Sequence, residues 1–241
     1  MADFQIGPHL DPARIGPVFR RAGRLHMPDF LDAAGAARLH TALMSSTAWS
    51  RSLMLGGKAF TLPTADWDAL PADSRAELEA GMLQEARAGF QYAFDTWPVS
   101  DEIEAGRRSG HPAEAFHDFL NSPPFLDWIR ATTDDERAAY CDAQCTRYRP
   151  GDYLNRHTDE AEGKNRLFAY VMNLTPGWSV DWGGLLQFID QDGHVAEAYT
   201  PAFNALNIFK VPQPHSVSLV APFAGGDRLA ITGWIRSRRP D

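Results

Sequence analysis

Apolar residues show no sustained period over positions 1 to about 26, where Gly and Pro are frequent, so this stretch predicts an irregular arm. A helix is predicted after Phe30-Leu31-Asp32. The Asp32 carboxylate can accept amides of the first turn, and Ala36, Leu39, Leu43 and Met44 share one face. Residues 50–64, with Gly56-Gly57 and Pro63, predict a loop or short hairpin, either a connector or a lid. Ser74-Arg75-Ala76-Glu77 has the form of a capping box. Leu78, Met82, Leu83, Ala86, Phe90, Phe94 and Trp97 follow at helical spacing, which predicts one long packing helix ended by Pro98. Short helices are predicted over 113–120 and 125–130.

From residue 137 the pattern changes to short runs rich in β-branched and aromatic residues: 139–148, 167–173, 185–189, 205–211, 216–220 and 228–235. Turns fall between them at Pro150-Gly151, Pro176-Gly177, Gly183-Gly184, Asp192-Gly193 and Gly225-Gly226. Many short strands with Gly and Pro punctuation predict a sandwich or jelly roll. The expected fold is α+β and mainly β: an arm and supporting helices (1–136) against a jelly-roll core (137–241), together one domain.

Composition narrows the function more than the fold. The chain has 241 residues, 44% hydrophobic and 11% aromatic, as in a globular protein able to bury a substantial core. A formal net charge of -8 argues against nucleic acid as a partner, because phosphate binding favours a basic face; a basic peptide remains compatible. No apolar run approaches the roughly 20 residues that span a bilayer. Met1-Ala2-Asp3-Phe4-Gln5 lacks the basic-then-apolar layout of a signal peptide, so the expectation is a cytoplasmic protein away from membranes. Cys141 and Cys145 are not spaced as Cys-x-x-Cys. They are expected as buried thiols of a reducing compartment, with a disulfide as the alternative.

The chemistry concentrates in the β-rich half. His157-Thr158-Asp159 follows a predicted strand, on whose extended exit residues i and i+2 point the same way and can reach one ion. His9-Leu10-Asp11 has the same form but lies in the arm and is expected to be a decoy. A third ligand must come from a distant strand. His194 follows a turn tip and reads as solvated, whereas His215 opens a strand after Pro212 and Pro214. Two imidazoles and one carboxylate suit non-haem iron(II). Arg228 alternates in phase with Ala230, Thr232 and Trp234, and an inward arginine needs a buried anion. The strand phase leaves two partners open: a small dicarboxylic acid or a core-edge carboxylate. No Ser/His/Asp or Cys/His arrangement offers a protein nucleophile.

Together, His157-x-Asp159, His215 and Arg228 resemble the iron(II)/2-oxoglutarate-dependent oxygenases. Tyr148, Gly151 and Tyr153, Asp181-Trp182-Gly183-Gly184-Leu185, and Arg228-Leu229-Ala230-Ile231-Thr232-Gly233-Trp234 are similar to the prolyl-hydroxylase branch, which includes hypoxia-sensing and ribosomal-protein hydroxylases. The likeness covers residues 137–236 well and the helical half loosely. It implies a double-stranded β-helix core, with Fe(II) on His157, Asp159 and His215. It also implies 2-oxoglutarate on Arg228 with Thr232 nearby, phenols of Tyr148 and Tyr170 at the co-substrate, and O2 as the second co-substrate. A one-residue shift would put Val171 in the place of Tyr170, and Tyr153 fits either site or core. The implied reaction hydroxylates a C–H bond, with prolyl residues of a protein or peptide first among substrates, while 2-oxoglutarate becomes succinate. The alternatives are a free amino acid or small metabolite as substrate, a sensor module that binds iron and 2-oxoglutarate without turnover, and a cupin isomerase.

Overall fold

The computed structural model describes residues 4–46 and 48–239. The acidic start at residues 1–3 lies outside them. In chain order the elements are α1 (Pro12–Ala22), β1 (Arg24–Met27), α2 (Ala33–Ser45), β2 (Ser50–Leu55), β3 (Lys58–Pro63), α3 (Thr64–Asp68), α4 (Ala72–Ala86) and β4 (Tyr92–Trp97). Then come α5 (Val99–Glu104), α6 (Pro112–Leu120), α7 (Pro123–Thr133), β5 (Tyr140–Cys141), β6 (Gln144–Tyr148), β7 (Tyr153–His157) and β8 (Arg166–Asn173). The chain finishes with β9 (Leu186–Ile189), β10 (Val195–Tyr199), β11 (Ala205–Lys210), β12 (His215–Val217) and β13 (Arg228–Arg236).

The strands run in the order β1-β11-β8-β13-β6-β4-β7-β12-β9-β10, with β2–β3 branching from β4 and β5 pairing the end of β13. This antiparallel surface curls into a nearly closed jelly roll. Its two edges, β1 and β10, are joined by side chains: Arg24 pairs with Glu197, and His26 stacks on Tyr199 with ring centroids 4.9 Å apart. Alternation on the strands separates two apolar faces. Tyr170, Met172, Leu206, Ile208 and Ile231 pack outward with Phe30, Phe116 and Ile129 of the helical layer. Ala169, Val171, Phe209 and Ala230 point inward.

Three expectations need correction. The arm contains a helix, α1: Asp11 accepts the Ala13 amide at 2.9 Å, Pro12 sits in the first turn and Gly23 closes the end at φ 71. Asp11 is thus a cap, and His9 bonds the Pro28 carbonyl at 3.1 Å, so this His-x-Asp is indeed structural. The long helix predicted from Ser74 to Trp97 is two elements. α4 begins after Pro71 without a side-chain cap and ends by residue 86, and Tyr92–Trp97 is strand β4, between β2 and β6. Cross-strand pairing overrode a helical spacing that Phe94 and Trp97 satisfy by coincidence. On α2, Asp32 caps the Gly35 amide at 2.9 Å as expected, but Met44 is exposed. Residues 50–64 form the β2–β3 hairpin. Cys141 and Cys145 are buried and free. Among the described residues no helix is long and apolar enough to cross a membrane.

Behind β4 and β7 lies a buried charge network. Arg51 holds Asp152 with two bonds, Nη1 at 2.8 Å and Nη2 at 2.5 Å, while Asp95 takes Nε and Nη2 of Arg147 at 2.9 and 2.7 Å. Asp95 is fully buried. Arg51→Met removes one partner and leaves buried carboxylates short of a cation, so it should cost about 3 to 5 kcal/mol in urea denaturation. A loss below about 1 kcal/mol would show the network to be an ordinary surface set.

Candidate metal centre and anion chamber

β7 and β12 pair antiparallel with His157 opposite His215, which brings their rings to a centroid distance of 4.1 Å. The strand stops at His157, and Asp159 sits at φ 62. A left-handed backbone step past the strand's end, and not strand alternation alone, therefore delivers the carboxylate. That step is held from outside: Nη1 of Arg166 donates to the Asp159 carbonyl at 2.8 Å, while its guanidinium lies 3.5 Å from the centre of the Trp234 ring. The sequence pattern gives no role to Arg166 and places Trp234 only in phase with Arg228 at the end of the final strand, because their contact joins β8 to β13. Arg166→Met should weaken metal binding about tenfold, as loss of outer support for a ligand typically does. Titration of the apo protein with manganese(II) measures this, and an unchanged affinity would remove the role.

Nδ1 of His157 donates to the Asn155 carbonyl at 2.9 Å, and Nδ1 of His215 donates to that of Gln213 at 2.8 Å. These bonds place the lone pairs of neutral imidazoles on Nε2. Nε2 of His157 is 3.4 Å, and that of His215 3.3 Å, from the oxygens of Asp159. Lone pairs facing a carboxylate repel unless a cation lies among them. Ligand atoms of the three residues all fall within 4.8 Å of one another, so they can hold one metal ion on a shared face. Burial would raise the Asp159 carboxyl, but hydrogen bonds from both imidazoles hold it well below the usual carboxylate range. His194 is exposed beyond β9, apart from this cluster.

The same interior contains a second electrostatic demand. Arg228 is 1% exposed, its Nε has no partner, and among the described residues no carboxylate pairs with it. Burial lowers its pKa, opposed by Tyr148, over whose ring the guanidinium lies at 5.0 Å. Of the two partners left open by strand phase, the core-edge carboxylate is absent among the described residues. Tyr148 is itself buried and stacked on Phe94 at 4.9 Å. Gly184, at φ 62, backs the arginine stem; a Cβ there would sit 3.1 Å from Arg228 Cδ. A buried guanidinium without an anion is costly, and a carboxylate from outside the protein would relieve it.

Arg228, Tyr148, Thr146, Gln144, Thr232, His157, Asp159 and His215 line one chamber of ≈ 80 Å³, walled by Ala169, Val171, Leu186, Phe209 and Val217. Thr232 is on its wall, as its phase suggested. Tyr170 borders the chamber as well, but its phenol does not face a co-substrate there: the hydroxyl donates to the Asp142 carbonyl at 2.8 Å and the ring packs with the helical layer, whereas Val171 packs with the inner cluster. Tyr153 also turns outward, its hydroxyl reaching the Met82 carbonyl at 3.4 Å. Outside the chamber an open groove of ≈ 680 Å³ runs over His157 and Asp159, bordered by Phe90, Arg156, Glu160, Arg166, Asp190 and Pro214.

Residues 143–236 match the sequence profile of the 2OG-Fe(II) oxygenase superfamily. Two curated relatives are the Prolyl 3-hydroxylase OGFOD1 of Xenopus laevis and that of Mus musculus. They are 34% and 32% identical over 117 residues, which is 46% of this chain in both cases. The chain spans about a fifth of their length, 22% and 21% respectively. Among solved structures, a Pseudomonas putida prolyl-4-hydroxylase superposes with a TM-score of 0.58 at 19% identity, covering 94% of this chain and 99% of that one. A Trichoplax adhaerens prolyl hydroxylase, solved with a hypoxia inducible factor oxygen degradation domain peptide fragment, gives 0.64 at 15% identity, covering 94% and 89%. The stretch that matches the 2OG-Fe(II) oxygenase superfamily, residues 143–236, is the β-core that carries the His-Asp-His cluster, and that superfamily is one whose chemistry draws on iron(II), 2-oxoglutarate and dioxygen.

Proposed function

We propose that this protein is an iron(II)- and 2-oxoglutarate-dependent dioxygenase that hydroxylates a prolyl residue of a protein or peptide. The observation that carries the reading is Arg228, a buried cation without an acid partner among the described residues, opening on the chamber that also holds the His-Asp-His cluster. His157, Asp159 and His215 would hold iron(II) on one face and leave adjacent positions open. Arg228 would grip the far carboxylate of 2-oxoglutarate, and Tyr148 and Phe94 would keep that end dry. When bound, the iron couples decarboxylation of 2-oxoglutarate to succinate with insertion of oxygen into a substrate C–H bond. The protein's own share is placement: two imidazoles fixed by backbone carbonyls, a carboxylate fixed by Arg166, and an apolar wall that excludes water. No side chain needs to act as nucleophile or base.

The prolyl substrate rests on the names of the relatives, and the peptide on the open groove beside the metal ligands. Two free buried cysteines support a reducing compartment such as the cytoplasm.

Anaerobic iron(II) and 2-oxoglutarate should together produce a visible absorption band, absent in His157→Ala. Oxygen should then yield succinate. Mass spectrometry should find a +16 Da product on proline-centred peptides; a product on free amino acids instead would move the substrate to small metabolites. If no band forms with the wild-type protein, the oxygenase reading fails.

A further inference from the structure

The chamber has a second polar end, to which Thr232 belongs. Across its otherwise apolar wall, Thr96 on β4, Gln144 on β6 and Thr232 on β13 form a hydrogen-bonded chain. The Thr96 hydroxyl donates to Oε1 of Gln144 at 3.2 Å, and Nε2 of Gln144 donates to Oγ1 of Thr232 at 3.4 Å. Thr96 is buried, while Gln144 and Thr232 are half-buried and face the chamber. With these two bonds made, the amide keeps one N–H and the Thr232 hydroxyl keeps its O–H. The chain therefore has a direction. Thr96 fixes which way the Gln144 amide faces, and two unspent donors are left side by side. Ala169, Val171, Leu186 and Phe209, which share the chamber, offer them no acceptor.

We propose that Gln144, oriented by Thr96 and acting with Thr232, is a binding residue for the carboxylate end of the co-substrate remote from Arg228. This rests on the oxygenase reading and deepens it. The chamber would then recognise a dicarboxylic acid at both ends, with a guanidinium at one and a neutral donor pair at the other. A neutral pair suits a chamber shared with His157, Asp159 and His215, where a second arginine would repel a cation held by those three. Donors fixed before binding lose little freedom on contact, which favours affinity. A monocarboxylate could satisfy only one end.

The test titrates 2-oxoglutarate into anaerobic iron(II)-loaded protein, read by the absorption band, and into manganese(II)-loaded protein, read by calorimetry. Gln144→Met, close in shape but without donors, should weaken 2-oxoglutarate about tenfold or more, as loss of a hydrogen bond to a charged acceptor does. Metal affinity should not change. Gln144→Glu keeps the shape and adds a negative charge, so it should bind more weakly than Gln144→Met. Thr96→Val frees the amide to turn and should give a smaller loss in the same direction. A residue that only filled space would not produce this order, because Glu is the closer isostere. If either folded Gln144 variant binds 2-oxoglutarate within about twofold of wild type, where a charged-acceptor bond would give more, the inference falls. A wild-type protein that gives neither band nor binding heat takes the inference down together with the oxygenase reading. A wild-type band with unchanged Gln144 variants removes the inference alone.

Discussion

Arg228→Met is expected to raise the 2-oxoglutarate concentration for half-saturation by about a hundredfold or more, while the protein without co-substrate becomes no less stable. The two effects have one cause. Arg228 is 1% exposed and pairs with no acid among the described residues, so the folded protein carries the desolvation cost of its charge with only the Tyr148 ring and dipoles to offset it. Replacing a buried charge by an apolar side chain of similar length is often neutral or stabilising by about 1 to 4 kcal/mol. Binding goes the other way, because removing one partner of a desolvated pair costs about 3 to 5 kcal/mol, which is over two decades in affinity. Thermal melts with and without 2-oxoglutarate, on metal-loaded protein, read both effects. A variant that is less stable than wild type but binds 2-oxoglutarate normally would mean that Arg228 serves the fold and not the ligand.

Asp159→Ala is expected to abolish metal binding and with it all succinate formation. The two imidazoles are held with Nε2 inward by carbonyl bonds at Asn155 and Gln213, so they remain in place without the carboxylate. They would then present two neutral donors and no charge, too weak a set for a hard divalent ion in a nearly dry chamber. Wild-type protein should melt at a higher temperature with manganese(II) or iron(II); at a hundredfold excess over Kd the gain is about 2.7 kcal/mol. Asp159→Ala and His157→Ala should lose that gain. Arg228→Met should keep the metal gain and lose only the further rise with 2-oxoglutarate. This separation assigns the two ends of the chamber independently. A metal-dependent rise that survives Asp159→Ala would place the ion elsewhere.

Local chemistry made much of the site legible. His157, Asp159, His215 and Arg228 could be picked out because strand phase and neighbouring turns restrict where a side chain can point. The Gly183-Gly184 pair could also be picked out, and its positive φ values and closeness to Leu219 and Arg228 show why little else is tolerated there. The helix caps at Asp32 and Asp11 follow the same local physics, although the second was missed beside a decoy metal motif.

What sequence could not give was the identity of the partner across each strand. Phe94 and Trp97 fit a helical stripe until β2, β6 and β7 claimed the segment as β4. Tyr170 and Val171 differ by one position, and only the pairing of β8 with β11 and β13 decides which side chain packs with the inner cluster. Arg166 against Trp234, and Gln144 between Thr96 and Thr232, join residues far apart in the chain that no spacing rule connects. The sequence by itself determined the ligand types, the inward arginine and the β-rich second half, because these depend on neighbours within a few residues. The tertiary structure decided strand against helix over 92–97, which tyrosine hydroxyl turns away from the chamber, and which donors surround it. Those outcomes depend on cross-strand hydrogen bonds and shared burial, which form only when distant segments meet.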